Sequence, residues 1–310
     1  NATTTYEYQF PKMKEPLTFV QILYNTKTGE CLGRTPKSWF QILAFYVVFY
    51  AVLAALFAIC MQGLFSTMND RKPNYVLDGS LIGTNPGLGV RPIHEDPDKG
   101  AVIQFDPKIP ENLVYWPNRI DEFLETYSEK NKTGNQRICD FHTVLKDNEV
   151  CAVKPDDFGP CVKDSNNYGY ANSQPCVFLK LNKIFDWVPE TFSNPFDLPP
   201  DMPDDLKEHI AGIQDEKERN KIWVSCKAKY SHDREHIGPI KYYPGRGFPA
   251  YYYPYTNRPG YLSPLVAVQF ERPTPGHLIA IECRAWAINI RYSGLLKERK
   301  GSVQFELLVD

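Results

Sequence analysis

Phe40-Gln-Ile-Leu-Ala-Phe-Tyr-Val-Val-Phe-Tyr-Ala-Val-Leu-Ala-Ala-Leu-Phe-Ala-Ile-Cys-Met-Gln-Gly-Leu-Phe65 is the stretch on which the reading of this 310-residue chain turns. No charged side chain occurs from Ser38 to Asn69. At 1.5 Å per residue a helix of this run reaches roughly 39 Å, more than the ~30 Å hydrocarbon layer of a bilayer, so it can span with some tilt. The buried core helix of a soluble protein is shorter and less uniformly apolar. A cleaved signal peptide is excluded, because the run is too long, begins late and lacks a small-residue cleavage site. The expectation is a signal anchor, with residues 1–38 as a cytoplasmic tail, 39–65 as the transmembrane helix and 66–310 as an extracellular domain.

Charge, cysteines and sequons agree on orientation. The first 38 residues carry Lys12, Lys14, Lys27, Arg34 and Lys37 against Glu7, Glu15 and Glu30, a net +2, while the remainder holds 30 basic and 34 acidic residues, a net −4. This is the positive-inside pattern, blunted by Arg71 and Lys72 just past the span. Cys139, Cys151, Cys161, Cys176, Cys226 and Cys283 all follow the span, as does Asn131-Lys132-Thr133, the one N-x-[ST] sequon there. Even cysteine sets and sequons belong to the oxidising, glycosylating side. The expected protein is single-pass type II with Asn131 glycosylated, and with Cys31 and Cys60 outside the disulfide set. Asn1-Ala2-Thr3 also matches a sequon, but on the cytoplasmic side, and the missing initiator methionine suggests a processed start. A net charge of −2 gives no electrostatic reason to expect nucleic acid, and 43% hydrophobic residues exclude a disordered chain.

The span carries more than an anchor needs. Tyr46 and Tyr50 fall inside it rather than in an interfacial belt, and hydroxyls in hydrocarbon require partners. Their four-residue spacing puts both on one helix face, which Leu53 and Phe57 continue. Ala51, Ala54, Ala55 and Ala58 give a second face the small-residue character that lets another backbone approach. Both features suit a helix that docks on a larger membrane protein.

Beyond the span the sequence is mainly β. Pro and Gly punctuate residues 73–97, and a helix is expected near Asn118, where Ile120, Phe123, Leu124 and Tyr127 recur at helical spacing behind an Asn cap. Strands are expected at Val102–Phe105, Cys176–Leu181, Ile222–Tyr230, Leu265–Glu271, Leu278–Ile290 and Ser302–Val309. The charged stretch from Pro199 to Lys221 reads as a solvated surface insertion with room for a short helix.

Strand parity yields one disulfide. Cys226 shares a face with Ile222, Val224 and Ala228, and Cys283 shares one with Ile279, Ile281 and Ala285, so both sulfurs point into an apolar layer. The expected fold is an immunoglobulin-like β-sandwich with a small helical part, and Cys226–Cys283 is placed between its two sheets. Fixing this pair leaves three connectivities for the other four cysteines, of which pairing sequence neighbours is the simplest.

Catalytic signatures are weak. Asp96-Pro97-Asp98 matches the D-x-D of metal-nucleotide sites but lacks the alternating strands and helices of a nucleotide-binding sheet. His232-Asp-Arg-Glu-His236 matches H-x-x-E-H, which needs a helix to bring both histidines to one zinc, yet Gly238-Pro239 follows at once. No phosphate-binding loop, nucleophile elbow or metal-binding cysteine cluster occurs, so no catalytic and no metal-ligating residue is assigned. Residues 239–264 hold seven tyrosines, at 242, 243, 251, 252, 253, 255 and 261, among prolines at every fifth position from 239. Such a segment is either a rigid loop packed on its own domain or a pre-organised protein contact.

Several stretches resemble the β subunit of the sodium/potassium-transporting ATPase, of the insect nervana type, with a relation to the proton/potassium ATPase β subunit. They are Ser38-Trp-Phe-Gln-Ile-Leu-Ala-Phe-Tyr-Val-Val-Phe-Tyr50, Tyr252-Tyr-Pro-Tyr255, Tyr261-Leu-Ser-Pro-Leu-Val-Ala-Val-Gln-Phe270 and Ile281-Glu-Cys-Arg-Ala-Trp-Ala-Ile-Asn-Ile-Arg-Tyr-Ser293. The resemblance spans essentially the whole chain. It implies the pairs Cys139–Cys151, Cys161–Cys176 and Cys226–Cys283, and contacts with the catalytic α subunit through Tyr46, Tyr50, Leu53 and Phe57 in the membrane and Tyr252, Tyr253 and Tyr255 outside it. It further implies a non-catalytic subunit of a P-type pump that lets α fold, reach the plasma membrane and tune its potassium affinity. ATP, magnesium, sodium and potassium would all be bound by α and no cofactor by this chain. A small single-span regulatory subunit and the lipid bilayer complete the implied partners, with no nucleic acid. The alternatives are a membrane-anchored ectoenzyme using His232 and His236 or Asp96 and Asp98, and a cell-adhesion glycoprotein working through the Tyr/Pro segment. Alanines at 51 and 54, a short first cysteine loop and a single external sequon depart from the family pattern.

Overall fold

A computed structural model of the chain describes residues 19, 23–25, 29–69, 71–128, 133–164, 166–294 and 300–310. They form two compact units, Asn1–Asn69 and Asp70–Asp310. The first is dominated by α1, Pro36–Thr67, the one described helix long and apolar enough to cross a membrane. It runs past 39–65 at both ends. Thr35 caps it by accepting the Ser38 N–H, Pro36 sits where its missing N–H costs nothing, and Met68 turns extended. None of its residues is buried.

The second unit is a two-sheet sandwich. Its elements are β1 (Leu88–Arg91), β2 (Val102–Phe105), α2 (Asn112–Leu124), β3 (Cys176–Leu181), α3 (Asp204–Gly212), β4 (Lys221–Ala228), β5 (Ile240–Tyr243), β6 (Gly247–Pro249), β7 (Leu265–Phe270), β8 (Ile279–Trp286) and β9 (Ser302–Val309). One sheet has the order β6-β4-β8-β9-β2, antiparallel except for the β9–β2 pair, and the other has the antiparallel order β1-β3-β7-β5. The alternation expected in β9 is present: Val303, Phe305, Leu307 and Val309 are buried and Gln304, Glu306 and Leu308 are not. Phe305 meets Phe270 of the opposite sheet at 6.1 Å between centroids. Every residue of β7 is buried, because loops and the end of α2 cover the far side of its sheet. Phe178 of β3 is ringed there by Phe123, Phe158 and Tyr168.

All three disulfides are formed: Cys139–Cys151, Cys161–Cys176 and Cys226–Cys283. Parity assigned the faces of the third correctly, since Ile222, Val224, Cys226, Ala228, Ile279, Ile281, Cys283 and Ala285 all belong to the core between the sheets. The location between two sheets is corrected. β4 and β8 are neighbours in one sheet with Cys226 directly opposite Cys283, Cα atoms 4.0 Å apart. That is the narrow, non-hydrogen-bonded type of antiparallel pair, and the Cys226 N–H accordingly points away from β8, to the Tyr242 hydroxyl at 2.9 Å. Same-face parity is required for a cross-strand bridge as much as for an inter-sheet one.

Two other expectations are corrected. α2 begins at Asn112, not at an Asn118 cap, and carries Pro117 inside it; buried Trp116, Pro117 and Ile120 and the Trp116 indole bond to Gln104 O (2.7 Å) outweigh the lost backbone bond. The charged stretch after Pro199 is no solvated insertion. α3 presents Leu206 and Ile210, with Met202, to Trp223 and Trp286 on the outer face of the five-stranded sheet, a second apolar cluster that gives that face its cover. Its charges, Asp204, Asp205 and Glu208, face outward. Leu206→Ala should therefore cost about 2–5 kcal/mol in denaturant unfolding, while exposed Glu208→Ala stays within about 0.5 kcal/mol; equal, small effects would restore the solvated insertion.

Candidate functional site

On α1, Tyr46 and Tyr50 stack one turn apart with ring centroids 5.9 Å apart. Phe45 and Phe49 stack beside them at 6.1 Å, and edge-to-face contacts at 5.4 Å knit the four rings into one ladder. Leu53 and Phe57 prolong the tyrosine face, and all of these side chains are exposed. Among the described residues neither tyrosine hydroxyl has a hydrogen-bond partner. In a hydrocarbon solvent such a group is costly unless a neighbouring protein supplies an acceptor.

The Tyr/Pro segment is committed largely to its own domain. Tyr242 reaches from β5 in one sheet to the Cys226 N–H in the other, with the Arg246 guanidinium 4.9 Å over its ring. The Tyr252 hydroxyl donates to Ala152 O at 2.9 Å, Tyr251 packs on Phe141, and Tyr253 meets Trp187 edge-on at 5.6 Å. Burial pushes the Tyr252 and Tyr253 phenols far above their ordinary value and Tyr261 up to about 12, so all three remain neutral donors.

Tyr255 differs in position. Its carbonyl accepts the Asp186 N–H at 2.9 Å, its ring contacts Phe185 and Tyr261, and Lys183 Nζ lies 5.0 and 5.3 Å from the Tyr255 and Tyr261 rings. Asn257 Nδ2 donates to Arg71 O at 3.4 Å, and Lys72 is 4.0 Å from Asp186. Arg71 and Lys72 thus lie against this end of the sandwich. Lys183, Phe185 and Trp187 were not singled out from sequence, since their partners lie some seventy residues away and leave no spacing signal.

The two enzyme-like patterns do not converge. Asp96 caps the short turn Pro97–Lys99 by accepting the Asp98 N–H at 3.0 Å, which spends the D-x-D pair on local structure. Only a single turn, Ser231–Asp233, follows β4, and the two histidine rings part company: His232 stacks on Tyr230 at 5.5 Å, His236 on His277 at 3.9 Å. Among the described residues no group of three His, Cys, Asp or Glu side chains is arranged to hold a metal ion. Asn131 lies outside the described residues, as does most of the 1–38 tail. Beyond the sequon, Asn135 Nδ2 donates to Asn148 O and Pro259 O, which ties that stretch to the Tyr/Pro segment.

Among the described residues, one span-length helix with an exposed aromatic face is followed in the chain by a disulfide-bonded β-sandwich, an arrangement that fits a single-span membrane protein. Residues 11–305 match the family described as the sodium/potassium ATPase beta chain. The chain is 51% identical to the sodium/potassium-transporting ATPase subunit beta-1 of Drosophila melanogaster (98% of this chain, 96% of that protein) and 45% identical to the beta-2 subunit of the same organism (97% and 94%). It is 28% identical to the human beta-2 subunit over 94% of its own length. The chain belongs to the sodium/potassium ATPase β-chain family.

Removing one atom tests the link between the sheets. Tyr242→Phe leaves the Cys226 N–H without its acceptor and should cost about 1–3 kcal/mol in denaturant unfolding with all three disulfides intact, whereas Tyr255→Phe, whose hydroxyl meets the exposed Asn257 amide at 2.9 Å, should cost less than about 1 kcal/mol.

Proposed function

We propose that this chain is the non-catalytic β subunit of a sodium/potassium-transporting P-type ATPase. It assembles with the catalytic α subunit, stabilises it, accompanies it to the plasma membrane and modulates its potassium affinity. The observation that carries this reading is the Tyr46–Tyr50 stack, two unpartnered hydroxyls on a helix with no buried residue. Membership of the family supplies the partner that such a face requires. ATP, magnesium, sodium and potassium are bound by that partner. The net +2 before the span and the disulfides after it favour a cytoplasmic amino terminus and an extracellular sandwich with Asn131 glycosylated. The partly exposed rings of Tyr252, Tyr253 and Tyr255 favour a second contact on the sandwich.

The test is a double variant in the helix. Tyr46→Leu with Tyr50→Leu keeps the helix apolar but removes both hydroxyls and the ring stack. Co-purification of α in mild detergent should fall at least about tenfold, the loss expected for two hydrogen-bonded aromatic contacts at an interface. Disulfide formation and solubility of the sandwich should not change. Undiminished co-purification would reduce α1 to a plain anchor.

A further inference from the structure

At the end of the sandwich opposite Arg71, where β4 and β9 finish and β8 begins, one buried carboxylate holds two loops together. Asp233 is 1% exposed. Its Oδ1 lies 3.1 Å from His277 Nε2 and 3.4 Å from His232 Nε2, and its Oδ2 accepts the Ala280 N–H at 3.1 Å. The His236 ring lies on His277 with centroids 3.9 Å apart and planes 25° apart, and His236 O accepts the Thr274 N–H at 2.8 Å. Gly238, at φ +68°, comes so near the other loop that a Cβ would stand 2.4 Å from Arg272 O. Burial works against the Asp233 charge, but the His277 bond, the Ala280 N–H and the His232 and His277 charges outweigh it and hold the carboxyl below the usual carboxylate range.

The remaining charges nearby are engaged elsewhere or exposed. Lys229 lies over the Tyr230 ring and bonds Gln304, and Lys241 pairs with Glu271 at 2.6 Å at the root of the second loop. Arg234, Glu235 and Arg272 are exposed. Among the described residues, Asp233 is the one carboxylate in hydrogen-bond or ion-pair contact with His232 or His277, and His236 touches it only through the His277 ring. One negative charge can balance one imidazolium there, not two stacked ones.

We propose that Asp233, His277 and His236 form a proton-operated latch between residues 231–238 and 272–280. A proton on His277 makes its hydrogen bond with Asp233 an ion pair. A proton on His236 as well sets two like charges 3.9 Å apart and releases the 272–280 loop. Histidine is the side chain whose charge generally changes between about pH 5 and 8, and that window is where the response is sought.

Hydrogen exchange of the full chain in detergent, corrected for intrinsic rates and followed from pH 8 to 5, tests the latch. Protection of peptides covering 231–238 and 273–280 should fall at least about fivefold between pH 7 and 5, the order expected for two unit charges at ~4 Å in a water-like medium. Peptides of β7 should not change. His236→Phe keeps a stacking ring without the second charge and should hold protection to pH 5; His236→Gln, which removes charge and ring, should do the same from a lower starting level if the Phe variant does not fold. Protection independent of pH in the wild-type chain, or an equal fall in the His236 variants, would overturn the proposal.

Discussion

The pairing of β4 with β8 is the constraint on which the rest of the sandwich depends. These strands form the centre of the larger sheet, and the Cys226–Cys283 bridge fixes their register at a narrow pair. A slip of one residue would turn Ile222, Val224 and Ala228 outward and bring Trp223 into the core. With the register set, the inner face packs on β7 and β3, and the outer face offers Trp223 and Trp286 to α3. The Cys226 N–H, left free by that same register, becomes the point at which Tyr242 ties the second sheet to the first. A bridge of this sequence separation stabilises by about 4 kcal/mol in the chain-entropy picture, a large share of the net stability of any domain.

The consequence for function is a division of labour between the two parts of the chain. The sandwich commits much of its Tyr/Pro segment to itself, the Tyr252 and Tyr255 hydroxyls serving Ala152 and Asn257. On the helix, Tyr46 and Tyr50 keep hydrogen-bonding capacity that only another protein can use within a membrane. In the proposed role, a subunit built this way contributes contact and stability to its partner.

The legible parts of the sequence are those with a local period. An unbroken apolar run gave α1, β-branched and aromatic runs gave β2, β3 and β9 to the residue, with alternation in β9, and face parity gave the correct partner for Cys226. Parity carries no information on whether two matching faces lie side by side or across a core, which is why that bridge was placed between sheets. β1, β5 and β6 are short, and Gly or Pro interrupts two of them, so their pairing is decided by neighbours and not by their own pattern. α3 was misjudged because its charges dominate a nine-residue helix in which two apolar side chains suffice. Asp233, His277 and Lys183 find their partners across forty or more residues, beyond the reach of any spacing rule.

The most direct measurement is sodium- and potassium-dependent ATP hydrolysis at the cell surface after expression of an insect α subunit with and without this chain. The account expects α to be retained inside the cell and degraded when alone, and to appear at the surface with activity when this chain is present. Equal surface activity in both cases, with this chain stable and correctly delivered by itself, would contradict it.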